Sequence, residues 1–337
     1  MTTRKKKSII IGKDMGMGAI KLSSVNGGYQ LPSQVAVNGS QKVSNMVGLA
    51  SQKAPLHIRM AQGSFYVGAG AHDWGRPVEN LDYDRLTGAP EMHALLYGSL
   101  TGLIKQYGPL DAPLSLLVGM PLEPLTGPDA KENVKAVRKW MEGEHEWQAD
   151  DQEYRVNIAE VAVTSQPVGA LFDYLLDDDG RFIQGRKAAF NKEVGIISVG
   201  FNTVELLVVR DRKPVQKFTA GTTSGVRRLL ELVNVDRMYT LGELDGQLRR
   251  GNLDVKAVLP IWEREVTGVI NNHWGDSWKR FEKILLVGGG ATLLKKPCPI
   301  ASMAKPLSLL TPCSPFHMAY ANYAFGLRAA RGNSVNG

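Results

Sequence analysis

The sequence predicts a mixed α/β protein built as two related halves, and three glycine-bearing turns carry that prediction. Two of them close strand–turn–strand units whose glycines, Gly16 and Gly200, stand 184 residues apart. The third lies between a buried strand and a helix. The length agrees: at about 150 residues per domain, 337 residues make two domains, each large enough to bury a core.

Each element follows from its residues. Ser8–Ile11 is a short apolar run that reads as a buried strand. Asp14-Met15-Gly16-Met17-Gly18 is a glycine turn, and Ala19–Val25 leaves it as a second strand. The same order returns later: Val194–Ile197 enters, Ser198–Asn202 turns, and Thr203–Val209 leaves. Lys283–Val287 is a buried strand ending in Gly288-Gly289-Gly290, after which Ala291–Leu294 opens a helix. A long helical stretch is expected from about Val255 to Lys279. In it Ile261, Val266 and Ile270 stand at helical spacing, and Trp262, Trp274 and Trp278 are expected to pack in a core. Arg227–Arg228 and Arg249–Arg250 read as solvated helix faces. Asp177-Asp178-Asp179 before Gly180 reads as a helix end in solvent, since no twelve-residue calcium-loop pattern follows.

Composition removes whole classes of function. Apolar residues make up 43% and charged residues 22%, as in a globular protein rather than a disordered one. The formal charge is +7, but Arg4, Lys5, Lys6 and Lys7 supply four of it, so the body carries only +3. Direct, sequence-specific nucleic-acid binding is therefore not expected. No apolar run approaches the ~20 residues of a membrane span. The basic start is followed by too short an apolar stretch for a signal peptide. Cys298 and Cys313 match neither a metal-site spacing nor a disulfide framework, which suits a reducing cytoplasm. The six histidines (57, 72, 93, 145, 273 and 317) are scattered, so no zinc site is expected.

Tight glycine turns direct backbone N–H groups at one point, and anions are what such groups attract. Two turns facing each other can grip the phosphates of one nucleotide from both sides of a cleft, although each alone reads equally as a plain hairpin. Asn202 stands where a second glycine would, and asparagine is the side chain that best tolerates a left-handed backbone. The third turn, strand to glycines to helix N-terminus, is a place where a nucleotide docks. It lacks the Gly-x-Gly-x-x-Gly spacing, and no Walker A sequence occurs, so a nucleoside suits it better than a dinucleotide.

These motifs, in this order, resemble the actin-like ATPases, within the wider fold shared by actin, heat-shock-70 chaperones and sugar kinases. Asp14-x-Gly16-x-Gly18 with Lys21 resembles the first phosphate loop. Ser165-Gln166-Pro167-x-Gly169-Ala170, after the strand Val161–Val163, resembles the first connecting segment. Ser198–Thr203 resembles the second phosphate loop, Val287–Thr292 the adenosine motif, and Pro315–Leu327 the helix returning to the first domain. Leu31-Pro32-Ser33, Tyr66-Val67-Gly68, Val118-Gly119-Met120-Pro121 and the hairpin His145–Ala149 with Tyr154–Ile158 resemble the plasmid-segregating ParM-type and archaeal-type branch.

The resemblance implies duplicated ribonuclease-H-like domains, 8–165 and 166–314, around a nucleotide cleft. The segment 315–331 would return to the first domain, and 1–7 would form a basic arm. It implies ATP (or GTP) with Mg²⁺. Asp14 would hold the metal through water or stabilise the attacking water, unless it is only a turn-forming aspartate. Lys21 would reach the phosphates, or is a solvated lysine; Gln166 would orient the lytic water, or caps a helix. Met15, Gly16, Met17 and Gly18 would cradle the β-phosphate opposite Gly200, Phe201 and Asn202. Thr203 would bond the loop backbone, or is an ordinary strand residue. Gly288, Gly289, Gly290 and Ala291 would approach the nucleoside.

One departure concerns rate. The family's second phosphate loop begins with Asp, and here that position is Ser198, which predicts retained binding and slowed hydrolysis. Glu205 lies two residues past Thr203, and strand alternation leaves its direction open. The expected function is a cytoplasmic filament-forming ATPase for plasmid or DNA segregation, self-associating and meeting DNA through an adaptor protein. A nucleotide-binding scaffold with little turnover, or a small-molecule kinase of the same fold, are the alternatives.

Overall fold

The computed structural model describes residues 8–37, 53–177, 180–294 and 307–309. The arm 1–7, Asp178, Asp179, Cys298, Cys313, His317 and the segment 315–331 lie outside these ranges.

Among the described residues the first half has ten strands: β1 (Ile9–Met15), β2 (Ala19–Ser24), β3 (Gly27–Pro32), β4 (Val35–Val37), β5 (Leu56–Met60), β6 (Gly63–Val67), β7 (Arg76–Pro77), β8 (Leu114–Met120), β9 (Gly143–Ala149) and β10 (Gln152–Ser165). Their order across the sheet is β3-β2-β1-β8-β10-β9-β5-β6-β4-β7. β1, β8 and β10 lie parallel at its centre and end together, at Met15, Met120 and Ser165. Helices α1 (Pro90–Tyr107) and α2 (Ala130–Met141) cover this sheet. Leu95, Leu96, Val137 and Met141 join Ile11 and Val118 in one core. Tyr97 stacks on Trp147 at 4.8 Å; the indole N–H donates to Thr101 and the Tyr97 hydroxyl bonds His145 Nδ1 at 3.1 Å, so both polar atoms of that stack are satisfied.

The second half carries β11 (Val194–Val199), β12 (Val204–Arg210), β13 (Lys213–Pro214), β14 (Ala220–Thr222), β15 (Lys283–Val287) and β16 (Leu307–Leu309). They run in the order β13-β12-β11-β15-β16, with β14 also on β12. Its helices are α3 (Gln166–Leu175), α4 (Val226–Val233), α5 (Leu241–Arg249) and α6 (Leu259–Trp274). Strand alternation separates two cores. Ile197 and Val199 pack with Trp262, Val266 and Ile270 of α6, whereas Val194 and Ile196 pack with Ala170, Leu171 and Leu175 of α3. The sheet is thus covered on both faces, which explains why β11 is buried along its whole length.

Two helical expectations need correction. The stretch from Val255 to Lys279 is α6 followed by a 3₁₀ turn, Gly275–Arg280, entered through Gly275 at φ 47°. Trp262 and Trp274 are buried there, but Ile261 is 43% exposed. The buried stripe is 262, 266 and 270, and Ile261 lies about 100° of helix away from it. The turn after Gly288 continues as a 3₁₀ segment, Gly289–Leu293, rather than an α-helix from Ala291.

Candidate functional site

The two hairpins have the same register. Met15 pairs with Ile20 and Asp14 with Lys21 in the first; Val199 pairs with Val204 and Ser198 with Glu205 in the second. Each therefore encloses a four-residue turn at the end of a central strand. The turns face each other so closely that a Cβ on Gly18 would lie 2.7 Å from the Cβ of Phe201. The third turn closes over them: Gly288 takes φ 95°, and a side chain there would run into the Val199 carbonyl. Only glycine meets both demands.

Between the turns lies a cleft of about 470 Å³. Its wall brings together Asp14, Gly16, Met17, Gly18, Lys21 and Gln166 from the sequence reading with Ser198, Gly200, Phe201, Asn202 and Thr203, and with Gly288, Gly289 and Gly290. Met15 and Ala291 flank the turns, and any part they take in binding falls to their backbone. Their side chains are buried in the first and second cores, since each directly precedes or follows a turn and alternation points it inward.

Asp14 organises the first turn. It is almost fully buried; Lys21 Nζ donates to Oδ2 at 2.6 Å and Gln166 Nε2 donates to Oδ1 at 2.6 Å. Lys21 is therefore tied to the cleft rather than freely solvated, and Gln166, the first residue of α3, presents its amide to the site. Lys13, one residue earlier, is turned into the core. Burial lowers its ammonium to about 7, with Asp14 opposing the shift. In the second turn the backbone of Thr203 does the closing, its carbonyl accepting from Gly200 N at 2.8 Å. Arg227 donates to the Asn202 side-chain oxygen at 3.3 Å.

Ser198 is buried and brings no charge, whereas Glu205, opposite it, is 1% exposed. The Leu122 N–H of the first half donates to Glu205 Oε1 at 2.7 Å. Burial pushes this carboxyl up to about 8; the Leu122 N–H opposes the shift, and Asp14 and Glu123 add to it. Thr292, the end of the Val287–Thr292 motif, also lines the cleft, together with Tyr83, Gln30, Asp245, Leu248, Arg249 and Leu293, which the sequence does not assign to it. Arg249 is exposed, as a solvated helix face implies, and is also held by Asp245 at 2.7 Å at the cleft wall. The i,i+4 spacing of that pair on α5 was the available signal. Arg228 is bound to Glu265 at 2.9 Å.

A clasp joins the halves beside the cleft. Gln34 Nε2 donates to Gly242 O at 2.7 Å and Gly242 N donates to Glu79 at 3.1 Å. His72 Nδ1 meets the Thr240 hydroxyl at 3.0 Å. Thr240 is the N-cap of α5 and forms a capping box with Glu243, so the clasp grips a helix end already fixed in place.

Residues 12–169 match the family model for the N-terminal domain of actin-like proteins. No curated protein matches the chain in sequence. Solved structures match it along nearly its whole length. ParM in a 15-stranded filament from Clostridium botulinum is 18% identical with a TM-score of 0.69, covering 96% of this chain and 99% of that one. An archaeal actin homologue in complex with ADP is 19% identical with a TM-score of 0.68, covering 96% and 99%. ParM from Bacillus thuringiensis with AMPPNP is 14% identical with a TM-score of 0.65, covering 97% and 100%. The chain has the fold of ParM and the archaeal actin homologues, and its residues 12–169 match an actin-like N-terminal domain.

Proposed function

We propose that this chain is a cytoplasmic, nucleotide-dependent filament protein with slow ATPase activity, serving plasmid or DNA segregation. One observation supports the reading most: two phosphate-sized glycine turns, mirrored in register, face each other across a cleft whose third wall is a glycine turn. Residues 8–165 and 166–314 act as the two jaws. The structures of ParM with AMPPNP and of an archaeal actin homologue with ADP support a nucleotide as the ligand of this cleft. The filament of the Clostridium botulinum relative supports self-association, with DNA reached through an adaptor.

The residues present fit ATP (or GTP) with Mg²⁺. The glycine turns leave backbone room that a Cβ would fill, and Lys21 supplies a cation at the first turn. Among the described residues no cluster of three His, Cys, Asp or Glu is placed to hold a metal alone. Mg²⁺ would therefore be held by the phosphates and, through water, by Asp14, in keeping with its reluctance to shed water. The metal supplies charge neutralisation on the phosphates. Gln166 orients the attacking water from α3, a positioning role. Ser198 provides no carboxylate, so turnover is slow; this residue also favours a second reading, a nucleotide-dependent scaffold with little hydrolysis.

Titration with a fluorescent ATP analogue tests the cleft. The parent binds it with Mg²⁺ present, and Gly18→Val, which drives a side chain into Phe201, loses binding while remaining folded by circular dichroism. Equal binding by both proteins contradicts the assignment.

A further inference from the structure

Two surfaces at strand ends remote from the cleft carry charge of opposite sign. Residues 181–217 and 276–283 hold eleven Lys and Arg against five Asp and Glu, one of them the buried Glu205, a net +6 where the chain beyond its arm carries +3. The stretches meet where β11 and β15 begin, at Val194 and Lys283, opposite the ends that reach the phosphate turns. Glu193 joins them, binding Arg210 at 3.1 Å and Arg280 at 2.7 Å. Aromatic rings hold the cations in place. Arg186 lies 5.0 Å from the Tyr174 centroid, Lys187 5.8 Å from Phe182, Arg212 5.7 Å from Phe190 and Lys217 4.6 Å from Phe218. Such contacts fix a cation while leaving it open to an anion. Among the described residues none of these four cations has a carboxylate partner.

The β9–β10 hairpin of the first half carries the opposite sign. Residues 142–160 hold seven Asp and Glu against one Arg. Alternation buries His145, Trp147, Tyr154 and Val156 and leaves Glu144, Glu146 and Glu153 facing solvent. Glu146 is 68% and Asp151 94% exposed, in pairs with Arg155 and Arg59 at 3.3 and 3.6 Å. Exposed pairs of this kind contribute little and exchange readily. The hairpin lies beyond the Leu114 end of β8, away from the Met120 end that meets the cleft.

We propose that the basic end of the second sheet receives the acidic β9–β10 hairpin of a second copy of this chain. The inference rests on the filament reading and names a surface for it. The chain carries both complementary patches, on different halves, so a contact between them joins unlike surfaces. Each added copy then leaves one patch of each sign free, which gives an open polymer rather than a closed dimer. The attraction is electrostatic, so assembly weakens as salt rises.

The test is a charge swap, read by sedimentation with Mg-ATP. Variant one carries Lys187→Glu, Lys213→Glu and Lys217→Glu; variant two carries Glu146→Lys, Asp151→Lys and Glu153→Lys. Each alone should raise the critical concentration at least roughly tenfold. Both should keep parental affinity for a fluorescent ATP analogue, which shows that they are folded. An equimolar mixture should sediment again near the parental concentration, because each patch then meets its complement on the other variant. Parental sedimentation by either variant alone, or failure of the mixture, overturns the proposal and leaves the filament reading standing. Loss of DNA retention by variant one, with no rescue in the mixture, assigns the basic face to nucleic acid instead. A parent that never sediments overturns both.

Discussion

Ser198 and Glu205 face each other across the second hairpin at the register that Asp14 and Lys21 occupy in the first. The first turn thus has its acid on the strand entering the cleft and its base on the strand leaving it. The second has a neutral hydroxyl on entry and a buried carboxyl on exit. The shared register makes each position a control for the other.

Restoring an acid on the entering strand should raise turnover. Ser198→Asp is expected to increase phosphate release by about tenfold or more, since one preorganised catalytic group commonly carries ~10²–10³ in rate. Nucleotide affinity should change little. A variant no faster than the parent in a phosphate-release assay contradicts the assignment of slow turnover to this serine.

The Glu205 carboxyl, raised from 4.5 to about 8, makes stability depend on pH. The folded state keeps its proton through a range where the unfolded chain has lost it. This contribution is therefore fully present below about pH 4.5 and is lost as pH rises toward 8, by at most about 1.4 kcal/mol per pH unit. Lys13, lowered to about 7, acts oppositely above that pH and is common to parent and variant. Glu205→Gln keeps an acceptor for Leu122 N but cannot ionise. Thermal midpoints at pH 5.5 and 8 should fall further with pH in the parent than in Glu205→Gln; parallel curves would refute the burial of an ionisable group here.

Gln166 bonds Asp14 from the first turn of α3, so removing its amide should affect the chemical step more than binding. Gln166→Ala is expected to lower turnover by ~10²-fold with nucleotide affinity within a few-fold of the parent. An equal loss in both would make Gln166 a binding residue only.

The clasp should set nucleotide exchange. Gln34→Ala removes the bond to Gly242 O and leaves Gly70 N without its side-chain acceptor. Breaking a buried hydrogen bond costs about 1–3 kcal/mol, so dissociation of a fluorescent nucleotide should speed up by roughly tenfold in stopped flow. An unchanged rate means the halves separate elsewhere.

Much of this site was legible because backbone geometry wrote it into residue type. Gly16, Gly18 and Gly288 mark turns and close approaches, and the 184-residue spacing of Gly16 and Gly200 reads as a repeat, with which the shared register of the two hairpins agrees. Asp14, Lys21 and Gln166 could be placed because their motifs are local. Arg249, Asp245 and the clasp were not legible: they reach the cleft from α5, whose position depends on packing between segments far apart in sequence. The direction of Glu205 stayed open in the sequence because its partner, the Leu122 N–H, is 83 residues away. Ile261 was misread because helical spacing alone does not say which side of the stripe is buried. The basic and acidic faces were invisible to a whole-chain charge of +7, which averages them.

The most direct test of the account is sedimentation with electron microscopy of the parent protein, with Mg-ATP and with ADP. The account predicts filaments and a pelleted fraction with Mg-ATP that fall away as nucleotide is converted to ADP or replaced by it. Protein that remains in the supernatant as single molecules under both conditions, while still binding ATP, would contradict it.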